Sequence, residues 1–111
     1  MTRYLISFDD GAMTFPEEDL PAVGEAAHAV MHDAMNAGVW VFGGGLNSQE
    51  SVSEVATDGT ITDGPARKAY IGGFSILDVP SRDEALAWAA KIAVACRCAQ
   101  EVGEFMPDPD A

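Results

Sequence analysis

The sequence predicts an α+β domain in which strands and helices run as βαββαβ, with an extra hairpin inserted between the two halves. Three observations predict it. "RYLISF" sets Tyr4, Ile6 and Phe8 against Arg3, Leu5 and Ser7, and "GGFSILDV" sets Phe74 and Ile76 against Ser75 and Leu77, the two-residue period of a strand. "AVGEAAHAVMHDAMNAG" and "ALAWAAKIAVA" carry apolar residues at helical spacing. The 111 residues, 48% of them hydrophobic, suffice for one domain with a real core.

Each element follows from its own residues. After the first strand, "DDGAMTFPEEDLP" reads as a loop, broken by Gly11, Pro16 and Pro21. In the first helix Val23, Ala27, Val30, Met31 and Ala34 form one stripe, and Asn36 to Gly38 stop it. "VWVF" is a short apolar strand, and "GGGLNSQES" behind it reads as a flexible turn region. "SVSEVAT", Asp58-Gly59 and "TIT" make a hairpin around a strong turn dipeptide. Pro80 and "SRDE" open the second helix, with Ser81 as N-cap and Glu84 as its capping-box partner. "AQEVGEFM" is the last strand. Residues 1–106 therefore form a single domain, and 107–111, "PDPDA", an acidic solvated tail.

With the hairpin set aside, this order is the ferredoxin-like plan, whose helices cover only one face of the sheet. No element is left to cover the other face. A second copy of the chain is the cheapest cover, so a homodimer is expected.

The charge narrows the partners. Six basic residues against eighteen acidic ones give a net charge of −12. Binding nucleic acid requires lysine and arginine to displace phosphate counterions, and no basic stripe exists, so neither nucleic acid nor an anionic membrane surface is expected. "MTRYLISFDDGAM" reads as a strand rather than a signal peptide, and the expected location is the cytoplasm. Cys96 and Cys98, two apart, suit neither an intramolecular disulfide nor a complete zinc site; they are read as reduced thiols.

Candidate site residues fall in three groups. Asp63-Gly64-Pro65 reads first as a plain turn, in which Asp63 accepts from the backbone two residues on, and second as a pocket lip. In the second reading Asp63 faces the sheet cavity, with Arg67 or Lys68 nearby to hold an anion, and Gly72 and Gly73 let a ligand approach the backbone. His28 and His32 stand four apart, a metal-compatible spacing, but at about 120–160° from the apolar stripe and with no third ligand; no metal is expected. Trp40 and Phe74 are strand aromatics that fill the core or line a ligand cavity. No nucleophile elbow, P-loop or dinucleotide fingerprint is present, so no cofactor is expected.

"GVWVFGGGL", "TITDGP", "GGFSILDV" and "SRDEALAWAAKI" together resemble the DGPF branch of the YCII-related proteins, over roughly Arg3 to Met106. The resemblance implies a dimeric α+β barrel, two ferredoxin-like protomers pairing their sheets around a shared interior, in a mostly bacterial family. Some members are linked to extracytoplasmic-function sigma factors. The chain departs from the pattern after Pro65, where it reads Ala66-Arg67-Lys68-Ala69-Tyr70, and at Glu101-Val102-Gly103-Glu104, which lacks the usual arginine. His28 falls about one residue from the histidine proposed as catalytic in the YciI branch.

The expected function is a small-molecule-binding homodimer with its pocket in the sheet or barrel interior, built from Arg67, Gly72, Gly73, Trp40 and Phe74. Two alternatives stand beside it. One is an enzyme acting on a small organic acid or cyclic intermediate by proton transfer, with Asp63 or His28 as base. The other is an accessory module in sigma-factor regulation.

Overall fold

Strand β1 (Thr2–Asp9) pairs on both sides, with β5 (Ile71–Val79) and with β6 (Glu101–Glu104), and β2 (Trp40–Gly45) closes the sheet beyond β5. The sheet order is β2-β5-β1-β6 and every pairing is antiparallel. Helices α1 (Leu20–Asn36) and α2 (Arg82–Cys96) make the two crossovers, β1 to β2 and β5 to β6. The hairpin of β3 (Ser53–Val55) and β4 (Ile61–Asp63) forms a separate two-stranded sheet. The fold is α+β and ferredoxin-like. This computed structural model describes residues 1–65 and 70–110.

The alternation read in the sequence fixes which face is buried. Tyr4 and Ile6 of β1 lie opposite Leu77 and Ser75 of β5, so they share one face. Tyr4, Ile6, Leu77 and Val79 pack there against Ala34 of α1 and Ala85 and Ala89 of α2. The alanines let the helix backbones come close. Ile6, Leu77 and Val79 are fully buried, and burying a side chain of this size contributes about 1.5–3 kcal/mol. Truncating Ile6 to alanine would cost about 2–5 kcal/mol, because the rigid strands cannot close the cavity.

The two helices are pinned at their ends. Ser81 Oγ accepts from the Glu84 backbone N–H at 3.2 Å, which is the serine's half of the expected capping box. Arg97, the C-cap of α2, donates to the Asp19 carboxylate at 2.8 Å and so ties the end of α2 to the start of α1. Both side chains are well exposed, which keeps this pair to about 0.2–1 kcal/mol.

Pro21 and the glycines after Phe42 depart from the sequence reading, each for a local reason. Pro21 does not break the chain; it sits in the first turn of α1, where the missing N–H has no helical partner to lose. Gly43 to Gly45 are not a turn but the second half of β2. A Cβ on Gly43 would lie 2.5 Å from the Phe74 carbonyl oxygen and 2.9 Å from Trp40 Cη2, so only glycine lets β2 reach β5 under the indole.

The molecule is flat, with Cα extents of 45 × 43 × 18 Å. Helices cover one side of the sheet. On the other side lie Leu5, Phe42, Phe74 and Ile76, and the rings of Phe42 and Phe74 meet at 6.2 Å.

Candidate functional site

A cleft of about 260 Å³ opens between the sheet and the two helices. Its floor is β2 and β5, with Trp40, Gly43, Ser75 and Leu77. One wall is α1, presenting Ala27, His28 and Met31; the other is α2, presenting Trp88, Ile92 and Cys96. Phe8, Met13 and Gln100 stand at the margin. A register shift between Trp40 and Phe42 sends the Trp40 indole to the helical side while Phe42 goes to the open face. Both tryptophans of the chain line the cleft. Lys91 Nζ lies 4.6 Å from the Trp88 ring centroid, a cation–π contact that holds that indole in place.

The lining is apolar and uncharged. Among the described residues no Asp, Glu, Lys or Arg contributes to it, and its polar side chains are His28, Ser75 and Gln100. The imidazole of His28 turns back along its helix, with Nδ1 2.7 Å from the Gly24 carbonyl oxygen. Gln100 Nε2 donates to the Cys98 carbonyl oxygen at 3.4 Å and contacts Cys98 Sγ at 3.5 Å. Burial pushes the Cys96 thiol up from its ordinary value, with the nearby Cys98 adding to it. Burial raises Cys98 too, offset in part by Gln100. Both therefore favour the thiol over the nucleophilic thiolate. Among the described residues no three His, Cys, Asp or Glu side chains converge as a metal site.

A family model for the YCII-related domain matches residues 3–102. The chain belongs to the YCII-related family. No curated protein matches it. For this YCII-related chain, no helix among the described residues is long and apolar enough to cross a membrane.

The structure sorts the site residues expected from the sequence. His28 and Trp40 meet at the cleft, and Phe74 borders it from β5. Asp63 does not. It is the exposed last residue of β4, and its carboxylate accepts from Ser53 Oγ at 2.8 Å across the hairpin; two residues on stands Pro65, which has no N–H to give. Of the two alternative bases, His28 lines the cleft and Asp63 does not. Gly72 and Gly73 do not line the cleft either. Built Cβ atoms there would lie 3.0 and 2.7 Å from the Phe8 ring, so the missing side chains make room for Phe8 rather than for a ligand. Arg67, with Lys68, lies outside the described residues.

The cleft lies on the helical side of the sheet, whereas the sequence reading put the pocket in the sheet or barrel interior. Trp88 and Cys96 were not expected there. The signal for both was their helical spacing: with Ile92, they lie on successive turns of one α2 face.

Proposed function

We propose that this YCII-related protein binds a small organic molecule in the cleft between its helices and sheet, and works as a homodimer joined across the open sheet face. The observation that carries the first part is the lining: aromatic, thioether and aliphatic side chains around a few polar groups. That is the composition of small-molecule sites, and the volume is near the lower end of their usual range of about 300–1,000 Å³. A ligand of one or two rings fits such a space.

The homodimer rests on the other face. Phe42 is 63% exposed, and a groove of about 380 Å³ on this side is lined by Val41, Ile76, Phe105 and Met106 together with the charged Arg3, Asp78 and Asp108. Soluble monomers rarely leave a continuous apolar area beyond a few hundred Å² open to water. Pairing two such sheets would bury roughly 2,000 Å², the size of a permanent interface.

Naphthalene tests the cleft. Calorimetry should show saturable binding, and bound naphthalene should slow alkylation of Cys96 by iodoacetamide. Absence of both effects would rule out the cleft as a binding site.

A further inference from the structure

We infer that the cleft selects a neutral, hydroxyl-bearing aromatic molecule of the phenol class, whose O–H donates to Nε2 of His28. This rests on reading the cleft as a small-molecule site, and it concerns which chemistry that site accepts.

The argument is one of donors and acceptors. A backbone carbonyl has no hydrogen to give, so in the 2.7 Å contact with Gly24 the hydrogen belongs to His28 Nδ1. In the neutral ring the other nitrogen, Nε2, then carries only a lone pair. Among the described residues nothing donates to it, and the residue, itself exposed, forms part of the cleft lining. Gln100 repeats the pattern. Its amide nitrogen is turned to the Cys98 carbonyl and thiol, which leaves its carbonyl oxygen as the free polar atom. Two side chains from different parts of the chain thus have their donors turned to the protein and acceptors left over.

A ligand that suits this pattern must donate. A carboxylate offers only lone pairs, and no described lining residue carries a positive charge to hold it. An ammonium donates, but no described lining residue carries a negative charge, and an unpaired ion in an apolar cleft is costly. A neutral hydroxyl meets both requirements. The indoles of Trp40 and Trp88 and the Phe8 ring favour a flat ring system as its carrier.

The test is a ligand series by calorimetry at about pH 8, above most of the range in which imidazole commonly charges. Naphthalene reports the cleft itself. 2-Naphthol adds a donor, 2-methoxynaphthalene the same oxygen without its hydrogen, 2-naphthoate an anion and 2-naphthylmethylammonium a cation. The naphthol should bind about 3–10-fold more tightly than naphthalene or the methyl ether, the gain of one net hydrogen bond. Both ions should bind at least about tenfold more weakly than the naphthol. His28→Leu should bring naphthol down to the affinity of the ether.

Naphthalene binding equal to naphthol would overturn the donor requirement while leaving the cleft as a site. Tightest binding by the carboxylate or the ammonium would overturn the neutral class. An undiminished naphthol preference in His28→Leu would overturn the assignment to His28. No binding by any member would overturn the cleft as a site and this inference with it.

Discussion

Ser53 and Asp63 face each other in register at the open end of the β3–β4 hairpin, and the serine hydroxyl donates to the carboxylate at 2.8 Å. The pair clamps the two strands where they meet the rest of the chain, beside the Gly64 N–H, which donates to the Val52 carbonyl oxygen. Both side chains are exposed, so water competes for each group. Asp63→Ala should therefore lower stability by about 0.5–1 kcal/mol, a few degrees in Tm, and leave naphthalene affinity unchanged. Ser53→Ala should match it, and the double variant should lose no more than either alone. Additive losses would show that the two side chains do not act as a pair.

Glycine positions give opposite signs in one protein. Gly43→Ala forces a Cβ against the Phe74 carbonyl oxygen and Ser75 Cα, backbone atoms that cannot yield without separating β2 from β5. A loss of about 1–3 kcal/mol is expected. Gly24→Ala meets nothing within 4 Å and sits inside α1, so it should raise stability by about 0.5–1 kcal/mol. Urea unfolding of the two variants checks both signs.

Removing the α2 cap should be costly for so small a change. Ser81→Ala leaves the Glu84 N–H without its side-chain acceptor and should cost about 1 kcal/mol, whereas Ser81→Asp should retain most of the stability. Equal losses in the two variants would deny the hydroxyl its capping role.

Alkaline pH should unfold the protein early. Burial raises the Tyr4 hydroxyl, helped by its 3.2 Å hydrogen bond to Glu104 and that residue's charge, and burial raises Cys96 and Cys98 as well. A raised folded value means the native state keeps its protons longer than the unfolded chain. The stability these groups contribute is present in full below their ordinary values, about 8.5 for thiols and 10 for the phenol, and is lost as pH rises through the folded ones. Tm should begin to fall near pH 8.5 and fall faster above 10. Cys96→Ala should flatten the first part of that decline, and an unchanged slope would show that Cys96 is not its source.

The open sheet face should hold two chains together. Sedimentation equilibrium at micromolar concentration should return twice the chain mass, and Phe42→Glu should return one, since a carboxylate on the paired face is left buried without a partner. A wild-type monomer would remove the homodimer and leave the cleft untouched, because no Phe42 atom lines it.

What the sequence disclosed depended on how local the physics is. The strands of Tyr4, Ile6 and Phe8 and of Phe74 to Val79 were legible because alternation is a property of neighbours along the chain. Ser81 and Glu84 were legible because a cap spans three residues. Gly43 was misread as a turn because its reason, the Phe74 backbone and the Trp40 ring, comes from another strand and a register shift. Asp63 was offered as a pocket lip because of its turn motif, while its partner Ser53 lies ten residues back across the hairpin. The cleft itself was the least legible feature. It exists where Trp40, His28 and Trp88 leave space between three elements, and no periodicity encodes a space.

The β3–β4 hairpin pairs with itself, and its tip is the Asp58-Gly59 turn, where Gly59 has φ +88° and the Thr60 N–H returns to the Asp58 carboxylate at 2.9 Å. Chain length added at such a tip costs only loop-closure entropy, about 0.6 kcal/mol per doubling, and displaces nothing from the core. This turn is therefore where a foreign peptide, a fluorophore-bearing cysteine or an affinity tag can be spliced into the protein with the cleft and the sheet left as they are.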